Sequence, residues 1–244
     1  MFFLTVLLAA LGSAGCWDIF DAALEHSATA RHPSYVTYDE HIAVDVDKQR
    51  LLYSTAHIDY RDDGTARVQD ERFGFHPFVT RHAEPGPPEL GPYGAERVSW
   101  IPEEPTLGSL PVIASVRTQA AVGCTVTGSE EYKGHSTYHL VFSGMRSDRP
   151  AVKEMWVDTE SSEIWKLIVS GYVLFMGADE RPPLTDFQVE LGYAGPYLVV
   201  NHVVWAYRRP EYSQWTDYFG EYTLSGFAFP PSLPQEYFGG KNSR

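Results

Sequence analysis

Short runs of apolar and polar residues in alternation fill the second half of the chain. VGCTVTGSEEY begins at Val122, and STYHLVFSG, VKEMWVD and IWKLIVSG follow it, with turns rich in Gly, Asp and Ser between them. Each run is rich in β-branched and aromatic residues, which is typical of antiparallel strands joined by tight turns. The pattern therefore predicts a meander of consecutive strands over residues 122–171.

The rest of the chain extends this prediction. An amphipathic helix is indicated by apolar residues at three- and four-residue spacing, namely Trp17, Phe20, Leu24 and Ala28. Further strands are predicted at Tyr35–Val46, Arg50–Tyr60, Thr65–Phe73, Val112–Thr118, Asp186–Tyr193, Leu198–Arg208 and Thr216–Leu224. Because twist accumulates across so many strands, the expected fold is mainly β, a single strongly curved antiparallel sheet. This sheet is an open half-barrel of about ten strands with the N-terminal helix.

Two segments fall outside the strand pattern. Residues 1–15 are uncharged and apolar through Leu11 and then small, which predicts a signal peptide rather than a membrane span. Residues 75–110 are dense in proline, which excludes a sheet interior and predicts a long loop. No repeat or linker divides the remainder, so residues 16–244 are expected to form one domain with a Pro-rich insertion at 75–110.

The chain contains two cysteines, Cys16 and Cys124. Cys16 directly follows the small residues of the signal segment, as in bacterial lipoproteins, so we expect it to be acylated and to anchor the protein to a membrane. Cys124 shares a strand face with two valines, where a small buried hydrophobe fits. The alternative is a disulfide between the two cysteines, which an oxidising compartment permits.

The formal charge of −13 excludes one class of function. Phosphate binding needs clustered Lys and Arg, and the 19 basic residues are scattered among 32 acidic ones. A nucleic-acid partner is therefore not expected.

Alternation along the meander separates an apolar from a polar face. Charged residues such as Lys153 and Lys166 lie on one face. The opposite face is predicted to line an apolar ligand site composed of Tyr138, Leu140, Phe142, Met155, Val157, Trp165 and Leu167. This face either encloses a ligand cavity or is plugged by the helix and the Pro-rich segment, and alternation alone does not separate the two.

Catalytic and cofactor motifs are missing from the sequence. His135 and His139 are four residues apart on a predicted strand, about 13 Å and too far to share one ion, so no metal site is expected. The Pro-rich loop carries His76, His82, Glu84 and Glu89. A hydrolase or metal-dependent enzyme with its site in that loop is the alternative to a non-catalytic protein.

Three stretches resemble the outer-membrane lipoprotein carrier and receptor superfamily, the LolA/LolB-like proteins. They are RLLYSTAHIDYRDDG, KEMWVDTESSEIWKLIVSG and GEYTLSGFAFPPSLP, and they come after the short helix. The resemblance implies an open β-barrel with helices in its mouth that holds acyl chains in an apolar cavity, without enzymatic chemistry or a cofactor. The expected function is thus a periplasmic carrier or binder of a lipid or an acylated protein. A structural outer-membrane lipoprotein is a further alternative.

Overall fold

The computed structural model describes residues 15–30, 33–62, 66–75, 122–145, 151–172, 184–211 and 214–237. Its elements, in chain order, are α1 (Cys16–Thr29), β1 (Tyr35–Val46), β2 (Gln49–Arg61), β3 (Ala66–Phe75), β4 (Gly123–Tyr132), β5 (His135–Ser143), β6 (Ala151–Asp158), β7 (Ile164–Tyr172), β8 (Leu184–Ala194), β9 (Tyr197–Glu211) and β10 (Gln214–Ala228). The predicted strand Val112–Thr118, most of the Pro-rich segment and residues 1–14 lie outside these ranges.

All ten strands belong to one antiparallel sheet in the order β3-β2-β1-β10-β9-β8-β7-β6-β5-β4. Neighbours in the sheet are neighbours in the chain except where β10 pairs with β1, which joins the last strand to the first. β3 and β4 are the two edges of the described sheet. The prediction of a mainly β, curved open half-barrel with one N-terminal helix is confirmed.

One side of the sheet, which we call the apolar face, carries the core. It is formed by side chains that alternate along the strands, including Leu140, Met155, Leu167, Phe187, Val203 and Ile42, and it continues onto α1. A smaller cluster of Val36, Tyr38, Ala56, Ile58 and Tyr60 extends it over β1 and β2. The other side, the polar face, carries most of the charged residues of these strands.

The helix α1 lies on the apolar face over β4 and β6. Its first turn is capped, because the Asp18 carboxylate accepts a hydrogen bond of 3.0 Å from the Gly15 N–H. The negative charge of Asp18 also interacts favourably with the positive end of the helix dipole. Phe20 is fully buried and meets the ring of Phe142 edge-on, with centroids 5.4 Å apart. Among the described residues, no helix is long and apolar enough to cross a membrane.

The structure corrects the prediction for the cysteines. Cys16 and Cys124 form a disulfide, with their Cα atoms 5.7 Å apart, inside the ordinary range for such bonds. The reason is the position of the helix, since α1 begins directly above the apolar side of β4, which bears Cys124. With its sulfur in the disulfide, Cys16 has no thiol for acylation, so the expected lipid anchor on Cys16 is wrong in this structure.

The hairpin between β6 and β7 is organised by one carboxylate. Asp158 Oδ1 accepts hydrogen bonds from the backbone N–H groups of Glu160 and Ser161 at 2.8 and 2.9 Å, and Oδ2 lies 3.1 Å from His135 Nδ1. Burial raises the pKa of Asp158, but these hydrogen bonds outweigh it, so the pKa lies below its ordinary value. The ionised form therefore stabilises the turn.

Replacing Asp158 with Asn tests this turn. The amide keeps an acceptor oxygen but loses the charge, so we expect Asp158→Asn to lower the free energy of unfolding by about 1 kcal/mol at pH 7. Because the folded pKa is depressed, the advantage of the wild type is present above the unfolded pKa of about 3.9 and is lost as the pH falls through the folded pKa. Urea unfolding at pH 7, 5, 4 and 3 measures the difference between the two proteins.

The control for this measurement is Asp186→Asn. The Asp186 carboxylate pairs with Lys153 at 2.5 Å, but both side chains are about half exposed, so the change is expected to stay within about 0.5 kcal/mol. A stability difference between wild type and Asp158→Asn that is the same at pH 7 and pH 3 would contradict the assignment.

Candidate functional site

Five of the seven residues predicted to line a ligand site lie together on the apolar face. Leu140, Met155 and Val157 are 0% exposed, Leu167 is 1% exposed and Phe142 is 4% exposed. Tyr138, the sixth, is partly buried and packs against the same cluster. Strand alternation thus identified a continuous apolar surface across β5, β6 and β7.

Trp165 is the exception, because it is buried at 4% exposure but lies outside this apolar cluster. The register of β6 and β7 shifts between Trp156 and Val157, so that Val157 pairs with Ile164 while Trp156 pairs with Lys166. This bulge makes Trp165 the extra residue, and Ile164 takes its place in the core. Trp165 stacks instead on the ring of His135, with centroids 3.8 Å apart.

The part of the apolar face that these residues form is filled by α1. Trp17 and Phe20 both lie against Phe142, with ring centroids 6.0 and 5.4 Å away. Ile19 and Ala23 are buried in the same cluster. Of the two alternatives left open by the sequence, a plug of this region by the helix is the arrangement that the described residues adopt.

Further along the apolar face, over β8, β9 and β10, several side chains remain only partly buried, among them Leu198, Tyr218, Tyr222 and Leu224. Burial raises the pKa of Tyr222 to about 12, and the nearby Glu40 carboxylate adds to the effect. Glu40 pairs with Leu224 and Ala56 and so stands on this face between the two apolar clusters. The predicted ligand-site residues did not include this stretch. Its strands β8, β9 and β10 pair directly, and Glu40 joins it through the pairing of β1 with β10.

The polar face carries pairs of acidic and basic side chains. His139 Nε2 lies 2.8 Å from Glu154, and His202 Nε2 lies 2.8 Å from Glu221. Lys133 is 2.9 Å from Glu190. Burial raises the pKa of Glu190, but the hydrogen bond and charge of Lys133 outweigh it and leave the pKa below its ordinary value. Within the described ranges, no group of three His, Cys, Asp or Glu residues is arranged to hold a metal ion.

A pocket of about 510 Å³ opens near the ends of β1, β9 and β10. It is lined by Ala206 and by the ion pair of Arg208 with Asp217, whose charged atoms are 3.1 Å apart. Phe219 borders it and is 43% exposed. The predicted loop residues His76, His82, Glu84 and Glu89 lie outside the described part of the chain.

No family model and no curated protein matches the sequence. Among solved structures, the chain is similar to a DUF1329 family protein from Desulfovibrio piger at 11% identity and a TM-score of 0.44, over 95% of this chain and 100% of that one. It is similar to a LolA superfamily protein from Nitrosomonas europaea at 12% identity and a TM-score of 0.34, over 93% and 98% of the two chains. The lipoprotein LppX of Mycobacterium tuberculosis matches at 10% identity and a TM-score of 0.22, over 88% and 96%. One of these three belongs to the superfamily that the sequence resembles.

Proposed function

We propose that this chain is a non-catalytic envelope protein that binds an acyl chain, carried by a lipid or an acylated protein, on the apolar face of its sheet. The proposal rests on one observation, which is the small size of the element that packs over the apolar face at β5, β6 and β7. In the described part of the chain, its cover is one 14-residue helix. A single short helix is an element that a ligand can replace without dismantling the sheet.

The energies gained by burying α1 and by burying an acyl chain on the apolar face are similar enough for the two to compete. Burial of Ile19 and Phe20 is worth about 1.5–3 kcal/mol for each side chain. An acyl chain that buries about ten methylenes gains roughly 8 kcal/mol, at about 0.8 kcal/mol each. The association cost reduces this gain by several kcal/mol. The binding energies of the two occupants are therefore of the same order, so an acyl chain competes with α1 for the surface of Leu140, Met155 and Leu167.

Two features support a location in the periplasm. The apolar residues 1–15 have the length and the small-residue ending of a cleaved signal peptide. The Cys16–Cys124 disulfide is of a kind that persists in the bacterial periplasm and is rare in the cytosol. We infer a periplasmic protein whose mature part, residues 16–244, is one domain.

Photo-crosslinking maps the site directly. The full protein is titrated with hexadecanoic acid that carries a diazirine on the acyl chain, irradiated and digested, and the labelled peptides are identified by mass spectrometry. We expect saturable labelling at one equivalent within β5, β6 and β7, and protection by unlabelled hexadecanoic acid.

The matched control is Phe219→Ala, which alters the exposed pocket on the polar face and is expected to leave the labelling unchanged. Label confined to the peptides around Phe219, or labelling that does not saturate, would remove the support for an acyl site on the apolar face.

A further inference from the structure

We propose that the Cys16–Cys124 disulfide regulates access to this site. In this proposal α1 is a strap over the apolar face, and reduction of the disulfide releases its N-terminal end. The inference rests on the proposed acyl site. It begins from the position of the disulfide, because Cys16 is the first residue of α1 and Cys124 belongs to the edge strand β4. The bond thus joins the start of the cover to the rim of the face that it covers.

The strap is fastened at both ends. Its N-terminal end is held to β4 by the disulfide, and five residues separate its C-terminal end from Tyr35, the first residue of β1. β4 is one edge of the sheet, whereas β1 is the third strand from the other edge. A 14-residue helix is about 20 Å long, and it lies over β4 and β6 between these two attachments.

The disulfide is open to chemical attack. Cys16 and Cys124 are both partly exposed, so a thiolate can approach either sulfur. A dithiol reductant attacks one sulfur and forms a mixed disulfide while the other cysteine leaves as a thiolate. The second thiol of the reductant then displaces the first cysteine, so that two electrons pass to the protein, two cysteine thiols form and the reductant becomes a disulfide.

Reduction releases the N-terminal end of α1 and leaves the strand pairing of the sheet unchanged. After reduction α1 is attached only through its C-terminal end, and docking depends on its apolar contacts, chiefly Ile19, Phe20 and Ala23. An isolated helix of 14 residues is marginal in water, so the undocked state becomes more populated. Because apparent affinity scales with the fraction of protein whose site is open, reduction tightens acyl binding.

The experiment compares three forms of the full chain, which are the oxidised protein, the protein reduced with dithiothreitol, and the double variant Cys16→Ser with Cys124→Ser. The ligand is hexadecanoic acid labelled with pyrene. We expect the reduced protein and the double variant to bind it at least fivefold more tightly than the oxidised protein. Dithiothreitol is expected to have no effect on the double variant, which is the control for the reductant itself.

Hydrogen exchange gives a second readout that needs no ligand. Amides of α1 between Ile19 and Leu24 are expected to exchange at least tenfold faster after reduction, while those of β8 stay unchanged. Equal affinity and equal α1 exchange in both redox forms would overturn the regulatory proposal, and so would loss of the sheet's circular dichroism on reduction. If α1 loosens but no form binds the probe, the acyl-binding function fails while the redox strap stands.

Discussion

Gly220→Ala is expected to lower the free energy of unfolding by about 3 kcal/mol. Gly220 of β10 pairs with Trp205 of β9, and the indole ring lies across the glycine on the apolar face. A Cβ at this position would approach the ring more closely than real Cβ atoms do. Trp205 is 2% exposed and packs against Phe187, with ring centroids 6.3 Å apart. The ring has nowhere to move without displacing its neighbours, which places the cost at the upper end for overpacking.

The matched control is Gly128→Ala on β4. Nothing lies within 4 Å of a Cβ built at Gly128, so this change is expected to stay within about 0.5 kcal/mol of the wild type. Urea unfolding followed by circular dichroism measures both variants. A loss for Gly220→Ala no larger than that for Gly128→Ala would show that the indole is not held against β10.

Strand periodicity was sufficient to predict much of this fold. The alternation in YVTYDEHIAVDV predicted a strand at Tyr35–Val46, and β1 has these bounds. The prediction succeeds because the side chains of a strand point alternately to opposite faces, so a sheet with one apolar face imprints a period of two on its sequence.

The failures share a physical cause, which is that periodicity is local. The bulge at Trp156 and Val157 shifts the alternation by one residue, so counting along β7 does not predict that Ile164 rather than Trp165 belongs to the apolar cluster. The pairing of β1 with β10 joins residues that are 184 positions apart in the chain, such as Glu40 and Leu224. No pattern within either strand reports that contact.

The disulfide illustrates the same limit. Alternation correctly placed Cys124 on the side of β4 that faces the core, and the helix was correctly predicted to begin near Cys16. What the sequence lacks is the docking position of α1, which brings the two Cα atoms to 5.7 Å across 108 residues. The residues before Cys16 resemble those of a lipoprotein, but they do not report which residues lie near Cys16 in the fold.

Leu140→Ala is expected to lower the free energy of unfolding by about 2–5 kcal/mol, the ordinary range for a packed core. Leu140 is 0% exposed on β5 and pairs with Val126 on one side and Met155 on the other. With α1 filling the space above this region, removal of the side chain leaves a void that the sheet can close only in part. Thermal and urea unfolding of the oxidised protein without ligand measure the loss.

Leu198→Ala is the matched control, because Leu198 lies at the start of β9, packs against the same cluster and is only partly buried. Truncation there removes less buried surface, so we expect a loss of about 1 kcal/mol. The ratio of the two losses reports how completely α1 fills the face. Losses near 1 kcal/mol at both positions would mean that Leu140 borders open space in the oxidised protein, and a strap would then not be needed to close the site.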